Sequence, residues 1–214
     1  MIKAEVNVTG RIKRSAQIRT DKNGKPYIGF AMVVGLPDAK DTTHEVDILV
    51  SVPNGQQSEL ALYTENTRIT INGTLDVRKK DDNLVFYLTA NLLTTEGVGE
   101  LDAITGDLAF RGHLKSDKIY EEKNDKNGNP FLVFSAYSSE KVGESFISTW
   151  VNFMRFPEKD AGIETIKPDW MQPKARVSIK GDFQLESYGG KLRINSRVRE
   201  MEQYVPQPYN GNSN

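Results

Sequence analysis

An internal repeat constrains the fold of this chain more than any other feature of its sequence. Residues 21–27, DKNGKPY, recur as residues 125–131, DKNGNPF. Further along, residues 68–73, RITING, recur as residues 176–181, RVSIKG. Landmarks that recur in the same order indicate a duplicated unit. The chain has 214 residues, so each copy has about 100, which is enough to bury a core of its own.

Both copies carry patterns that are typical of β-strands. Apolar side chains alternate with others at the period of a half-buried strand, as in Ile28, Phe30 and Met32 of the first copy and Leu132, Phe134 and Ala136 of the second. Asn23-Gly24 and Asn127-Gly128 are hairpin-turn signals, because both positions accept positive φ. Gly73 and Gly181 interrupt strand patterns, where glycine often marks a bulge.

The order of elements in each copy predicts a small barrel. Three strands come first. Residues 58–63 then predict a short helix capped by Ser58, whereas the equivalent stretch of the second copy contains Pro168 and Pro173 and predicts a loop. Two further strands follow in each copy.

This order fits a five-stranded Greek-key barrel of the OB type. We therefore expect an all-β protein of two tandem OB-fold barrels, each with a short helix or loop between strands 3 and 4. The predicted ranges are 1–104 for the first domain, 105–202 for the second and 203–214 for a flexible C-terminal tail. An SH3-like barrel or a small sandwich is the structural alternative.

Each copy also resembles the OB-fold of bacterial and phage single-stranded DNA-binding proteins. The resemblance rests on Phe30-Ala31, on Phe134 with Ala136, on the Trp150–Phe156 spacing and on residues 59–75. It implies binding of single-stranded DNA, with RNA as an alternative ligand, in replication, recombination or repair. It also implies four OB folds per particle, so we expect a homodimer. No acidic residue follows Glu202, so we do not expect recruitment of replication proteins through an acidic tail.

Binding of single strands without sequence preference needs aromatic faces for the bases and cations for the phosphates. In the second copy the candidates are Trp150, Phe156, Tyr188, Phe131, Arg193, Arg197, Arg199, Arg176 and Lys180. In the first copy they are Tyr27, Tyr87, Arg11, Lys13, Arg19 and Lys80. The repeat aligns Val46 and Val52 with Trp150 and Phe156, so we expect the second copy to stack bases more strongly. The phenylalanines Phe30, Phe86, Phe134 and Phe183 are assigned to the core.

Composition and motifs argue against several other function classes. The chain has no cysteine, two histidines and a net charge of −1. It contains neither a phosphate-binding glycine-rich loop nor a zinc-protease motif. The segment that begins at Asp21 looks like a calcium loop but lacks the further acidic ligands. We expect no enzymatic activity, no cofactor and no metal site.

Two further expectations concern location and alternatives. No apolar run reaches the roughly 18–20 residues of a membrane span, and residues 1–6 carry no signal-peptide pattern, so we expect a cytoplasmic protein without a membrane segment. The main functional alternative is an OB-fold module that binds another protein, as primosome-type or conjugation accessory factors do. An OB-based nuclease is the third hypothesis.

Overall fold

The computed structural model describes residues 1–38 and 42–206, which form eleven β-strands and two short 3₁₀ helices. The first copy contains β1 (Ile2–Thr20), β2 (Pro26–Pro37), β3 (Thr43–Pro53), a 3₁₀ helix (Gln57–Leu62), β4 (Arg68–Lys80) and β5 (Asn83–Thr94). The second contains β6 (Ala103–Leu114), β7 (Glu121–Asn124), β8 (Pro130–Val142), β9 (Ser145–Arg155), a 3₁₀ helix (Ile163–Ile166), β10 (Arg176–Tyr188) and β11 (Lys191–Gln203).

Strand pairing closes each copy into a barrel. In the first, β1 pairs with β2, β2 with β3, β3 in parallel with β5, β5 with β4, and β4 with β1. In the second, β6, β8, β9, β11 and β10 close in the same order, and β7 pairs with β8. This is the Greek-key order of the OB fold. The prediction of an all-β chain with two tandem OB-fold barrels is confirmed.

The first strands of the two barrels also pair with each other. β1 and β6 run antiparallel, with Ile2 opposite Phe110 at one end and Thr9 opposite Ala103 at the other. The pairing joins all eleven strands into one sheet. One apolar cluster extends through both barrels, and Ile2 and Phe110 belong to it. The two sites described below are therefore held in a fixed mutual arrangement by backbone hydrogen bonds.

The two glycines that interrupt strand patterns lie at bulges, as the sequence predicts. The register between β4 and β5 shifts at Gly73, and the register between β10 and β11 shifts at Gly181. A Cβ atom on Gly73 would lie 2.2 Å from the Thr89 carbonyl oxygen. On Gly181 it would lie 2.3 Å from the Arg197 carbonyl oxygen. Close backbone approach therefore excludes larger residues at both positions.

The repeated turn uses its aspartate internally. Asp21 Oδ1 accepts the backbone N–H groups of Asn23 and Lys25, each at 2.8 Å. Asp125 Oδ1 accepts the equivalent groups of Asn127 and Asn129 at 2.8 and 2.9 Å. The Asn129 side-chain amide, which donates to Asp125 Oδ2 at 3.0 Å, lowers the pKa of Asp125, and these backbone hydrogen bonds lower it further. Within residues 1–38 and 42–206, no cluster of three or more His, Cys, Asp or Glu side chains is arranged to hold a metal ion.

The predicted helix of the first copy is a 3₁₀ helix, and Gln56 rather than Ser58 is its N-cap residue. The Gln56 N–H donates to the Glu59 carboxylate at 2.5 Å. A carboxylate three residues into the helix satisfies a backbone donor that the first turn leaves unpaired, which fixes the start two residues earlier. The proline-rich equivalent in the second copy keeps four residues of 3₁₀ helix, Ile163–Ile166.

The division of the chain at residue 104 stays a prediction, and the structure places that residue inside β6. Gln203, the first residue of the predicted tail, is the last residue of β11. The next residue, Tyr204, donates its N–H to the Arg176 carbonyl at 3.0 Å, and its ring lies 5.1 Å from the Arg111 guanidinium. Residues 207–214 of the predicted tail lie outside the described residues. Over the described part of the chain, no helix has the length and apolar character to cross a membrane.

Candidate nucleic-acid interface

The third strands of the two barrels, β3 and β9, correspond in the structure with a shift of one residue from the alignment that the sequence repeat predicts. Val33 of β2 lies opposite Asp47, whereas its counterpart Tyr137 of β8 lies opposite Trp150. Asp47, not Val46, is therefore the structural equivalent of Trp150. The predicted alignment of Val46 and Val52 with Trp150 and Phe156 is wrong, because a slip of one residue moves every side chain to the other face of a strand.

Val46 and Val52 consequently belong to the core of the first barrel, at 3% and 9% exposed. The side chains of β3 that point outward are Glu45, Asp47, Leu49 and Ser51. Phe30, Phe86, Phe134 and Phe183 are also buried, in agreement with their assignment to the core.

Three aromatic side chains form a row across the outer face of the second barrel. The His113 ring of β6 stacks on Tyr137 of β8 at 5.6 Å, and the Tyr137 ring contacts Trp150 of β9 at 5.0 Å. Trp150 is 47% exposed, so one end of this aromatic row is open to a ligand. The sequence prediction missed His113 and Tyr137. Extending the alternation of β8 from Phe134 would have placed Tyr137 on the same outer face as Trp150.

His113 lies in an unusual environment for a histidine at a barrel surface. Its Nδ1 atom is buried and has no hydrogen-bond partner among residues 1–38 and 42–206. Burial lowers the pKa of His113, and the positive charges of Arg176 and the N-terminal amine lower it further. The neutral imidazole is therefore the favoured form within the aromatic row.

A second aromatic group lies at the far end of β9. Phe131 and Phe156 stack at 4.7 Å between ring centroids, with 14° between their planes. The Arg197 guanidinium lies 4.8 Å from the Phe156 ring centroid. The structure thus brings three of the predicted residues together, as an aromatic pair, Phe131 and Phe156, with a cation over it.

A polar ladder of four side chains lies between the aromatic row and the aromatic pair. Ser135 Oγ donates to Asn152 Oδ1 at 2.9 Å, and Asn152 Nδ2 donates to Asn195 Oδ1 at 3.1 Å. Asn195 Nδ2 then donates to Glu186 Oε2 at 2.6 Å. The polar ladder crosses β8, β9, β11 and β10 in turn. None of its four members was among the predicted site residues.

Tyr188 lies apart from these groups, at the end of β10 where the hairpin turn to β11 begins. It is 65% exposed, and the Arg193 guanidinium lies 5.5 Å from its ring centroid. The turn continues with Gly189 and Gly190, whose N–H groups donate to the two Asp38 carboxylate oxygens at 2.7 and 2.8 Å. Asp38 follows β2, so the first barrel anchors the hairpin of the second.

The first barrel presents a smaller aromatic surface. Tyr87 is 41% exposed and lies beside Leu49 on the outer face, and the Arg78 guanidinium is 5.6 Å from its ring centroid. Tyr27 and Tyr87 line one surface cleft together with Arg14 and Arg19. The structure thus brings Tyr27, Tyr87 and Arg19 together, whereas Lys80 lies outside the cleft, next to the β4–β5 turn.

Ion pairs neutralise four of the nine predicted cations. Arg11 pairs with Glu45, Lys13 with Asp47, Lys180 with Glu200, and Arg199 with both Asp107 and Asp182. The hydrogen bond to Glu200 raises the pKa of Lys180, and the bond to Asp107 raises that of Arg199. Among the described residues, Arg19, Lys80, Arg176, Arg193 and Arg197 form no ion pair. Two of these five, Arg193 and Arg197, lie over aromatic rings.

Several solved structures match the chain. The wild-type single-stranded DNA-binding protein of Thermus aquaticus is 14% identical, with a TM-score of 0.45 over 96% of this chain and 94% of that one. The small single-stranded DNA-binding protein of Streptomyces coelicolor is 8% identical, with a TM-score of 0.35 over 46% and 91%. The mitochondrial single-stranded DNA-binding protein Rim1 of S. cerevisiae is 18% identical, with a TM-score of 0.35 over 45% and 91%. No family model and no curated protein matches the sequence.

Proposed function

We propose that this protein binds single-stranded DNA with broad sequence tolerance, without catalysing a reaction, in replication, recombination or repair. The observation that carries the proposal is the outer face of the second barrel. Its aromatic row crosses the middle of β9 and its aromatic pair lies at the C-terminal end of that strand. Arg197 covers the aromatic pair without an ion pair among the described residues. Stacking faces combined with unpaired cations are the chemistry that single strands require.

The spacing of the two aromatic groups suits a short stretch of nucleotides. Trp150 and Phe156 are separated by an extended segment of about 20 Å, at the rise of a β-strand. That length accommodates several nucleotides, within the roughly 4–16 that one OB fold contacts. The same face of OB barrels, formed by strands 2 and 3 with the 1–2 and 4–5 loops, is where oligonucleotides bind.

The second barrel is the stronger site in this proposal. At the position of Trp150, the first barrel carries Asp47, whose carboxylate pairs with Lys13. Tyr27, Tyr87 and the cations Arg14 and Arg19 remain as its binding surface. The first barrel therefore adds a weaker contact on the same strand of DNA.

Titration of tryptophan fluorescence with oligo-dT tests the proposal. Stacking of a base on Trp150 quenches its emission, and the second tryptophan, Trp170, is partly buried against the core and serves as an internal reference. Trp150→Phe removes the signal if Trp150 contacts DNA, whereas Trp170→Phe leaves it. A protein that shows neither quenching nor a change in anisotropy of labelled oligo-dT at low salt does not bind single strands, and the protein-interaction hypothesis then replaces the proposal.

The oligomeric state is part of the proposal. We infer a homodimer, which gives four barrels per particle. Strand edges that lack a partner are natural pairing surfaces, although β1 and β6 already pair within the chain. Light scattering at micromolar concentration is expected to give twice the chain mass of 24.0 kDa. A mass of one chain contradicts the dimer without affecting the DNA-binding proposal.

A further inference from the structure

The polar ladder of the second barrel has a fixed direction. A carboxylate can only accept hydrogen bonds, so Glu186 requires Asn195 to turn its NH₂ group toward it and its oxygen toward Asn152. Asn152 in turn directs its NH₂ group to Asn195 and accepts from Ser135. Each amide keeps one N–H and one lone pair for a ligand, and the carboxylate keeps its second oxygen.

The first barrel has no such ladder at the equivalent positions. Strand registers match Ser135, Asn152 and Asn195 with Ala31, Leu49 and Tyr87, and Glu186 with Arg78. An alanine, a leucine and a tyrosine present no carboxylate or amide to a base, and the guanidinium of Arg78 is a donor alone. The first barrel is therefore equipped for stacking and charge, whereas the second also carries groups that discriminate hydrogen-bond donors from acceptors.

The polar ladder lies within reach of a stacked base. Asn152 is two residues from Trp150 on the same face of β9, a distance of about 7 Å along the strand. Asn195 is the neighbour of Asn152 on β11. A base that stacks on Trp150 with its ring parallel to the sheet surface therefore directs one edge at the amides and at Glu186.

We propose that the second barrel selects, at this one position, a base with an exocyclic amino group, cytosine above all, over uracil or thymine. The inference rests on the proposed single-strand binding and refines it. The amino group at C4 of cytosine donates to the Glu186 carboxylate, and the adjacent N3 accepts from an Asn195 N–H. Hydrogen bonds to a charged acceptor are about twice as strong as neutral ones. Uracil has a donor at N3, but the carbonyl oxygens on both sides of it repel a carboxylate.

Oligo-dC and oligo-dU form a matched pair of probes, because their bases differ only along one edge, in the group on C4 and in the proton on N3. Competition against labelled oligo-dT, with strands of about 16 nucleotides, measures both affinities at one salt concentration. We expect the wild-type chain to bind oligo-dC about five-fold more tightly than oligo-dU. Glu186→Gln should bring this ratio close to one, because the glutamine amide both accepts and donates.

Two further variants separate base selection from general electrostatics. Glu202→Gln removes the same charge from an exposed position on β11, seven residues beyond Asn195, and should leave the dC/dU ratio at its wild-type value. Asn152→Leu installs the residue of the first barrel and removes the hydrogen bond that Asn195 Oδ1 accepts, so it should reduce the preference without abolishing it. Equal wild-type affinities for oligo-dC and oligo-dU, or a ratio that Glu186→Gln does not change, overturn the inference and leave the proposed function standing. If neither oligonucleotide binds, the inference and the proposed function are both wrong.

Discussion

Lys13 Nζ lies 2.7 Å from Asp47 Oδ1, and Asp47 occupies the position in the first barrel that Trp150 occupies in the second. A closed ion pair thus replaces an exposed aromatic ring at equivalent points of two duplicated barrels. The pair satisfies both charges locally, so the first barrel offers neither a stacking face nor an unpaired cation there. This difference underlies the expected inequality of the two sites.

Asp47→Ala should strengthen DNA binding by releasing Lys13. Both side chains are about half exposed, so the pair contributes only about 0–1 kcal/mol to stability and the fold should persist. The freed ammonium adds one phosphate contact, which makes the slope of log affinity against log salt steeper by about 0.7. Titrations across a salt series measure this slope.

Asp169→Ala is the matched control for that experiment. Asp169 is an exposed acid that follows the second 3₁₀ helix and forms no ion pair within the described ranges. Removing it makes the same change in net charge without releasing a cation at the binding face. An equal effect of both variants would show that net charge, rather than the Lys13–Asp47 pair, controls affinity.

Trp150→Ala combined with Phe156→Ala should weaken binding of oligo-dT by roughly 2–5 kcal/mol, because each lost stacking contact contributes about 1–3 kcal/mol. Trp150 is half exposed, so its removal leaves the core intact. Leu92→Ala, at a 63% exposed position on β5, serves as the control and should bind like wild type. Circular dichroism verifies that both variants are folded. Wild-type affinity in a folded double variant would assign these rings to packing alone.

Val46 and Val52, which the sequence repeat aligns with Trp150 and Phe156, are not suitable controls for this experiment. Both valines are buried, and truncation of each to alanine should destabilise the first barrel by roughly 1–3 kcal/mol.

The one-residue shift between β3 and β9 could not be predicted from the sequence, because both alignments of the third strand keep an alternating pattern. Register is decided by which face packs on the core, and in β9 the decisive residues are Val151 and Phe153, which are both fully buried.

Other parts of the structure followed directly from local sequence. The Asn-Gly turns, the bulges at Gly73 and Gly181 and the barrel order depend on short-range backbone preferences and on periodicity, which a sequence displays. The pairing of β1 with β6 and the ion pairs of Arg11 and Arg199 depend on contacts between distant segments. No local sequence pattern indicates these long-range contacts. The cations predicted to bind phosphates therefore included residues that ion pairs already neutralise.

Arg197→Gln and Lys180→Gln should therefore differ in their effect on salt dependence. Five of the predicted cations lack an ion pair among the described residues. We expect three to five of the chain's cations to contact phosphates, which gives a slope of log affinity against log salt of roughly −2 to −4. Arg197 is one of the five, and its loss should make the slope shallower by about 0.7. Lys180 already pairs with Glu200 at 2.7 Å, so its loss should have less than half that effect. Equal changes in slope would mean that the ion pair opens when DNA binds.

Asp38→Ala should loosen the hairpin that carries Tyr188. The Asp38 carboxylate accepts the N–H groups of Gly189 and Gly190, and loss of these bonds removes about 1 kcal/mol from the local stability of the turn. Hydrogen exchange of the two glycine amides should accelerate by roughly five-fold. Asp38→Asn keeps one acceptor and should give an intermediate rate. Asp117→Ala, at an exposed acid that pairs with Lys115, should leave these amides unchanged, and unaltered exchange in Asp38→Ala would exclude the anchor.

His113 should make stability depend on pH below about 7. Burial, followed by the charges of Arg176 and the N-terminal amine, lowers the pKa of His113 in the folded chain below its usual value of 6.5. The unfolded chain therefore binds more protons as the pH falls below about 6.5, and the free energy of unfolding decreases until the folded-state pKa is passed. Urea unfolding at several pH values should show this decrease for the wild type. It should be smaller for His113→Gln, in which residue 113 no longer titrates. A pH profile that His113→Gln does not alter would mean that the buried Nδ1 atom acquires a proton in the folded chain as readily as in the unfolded one.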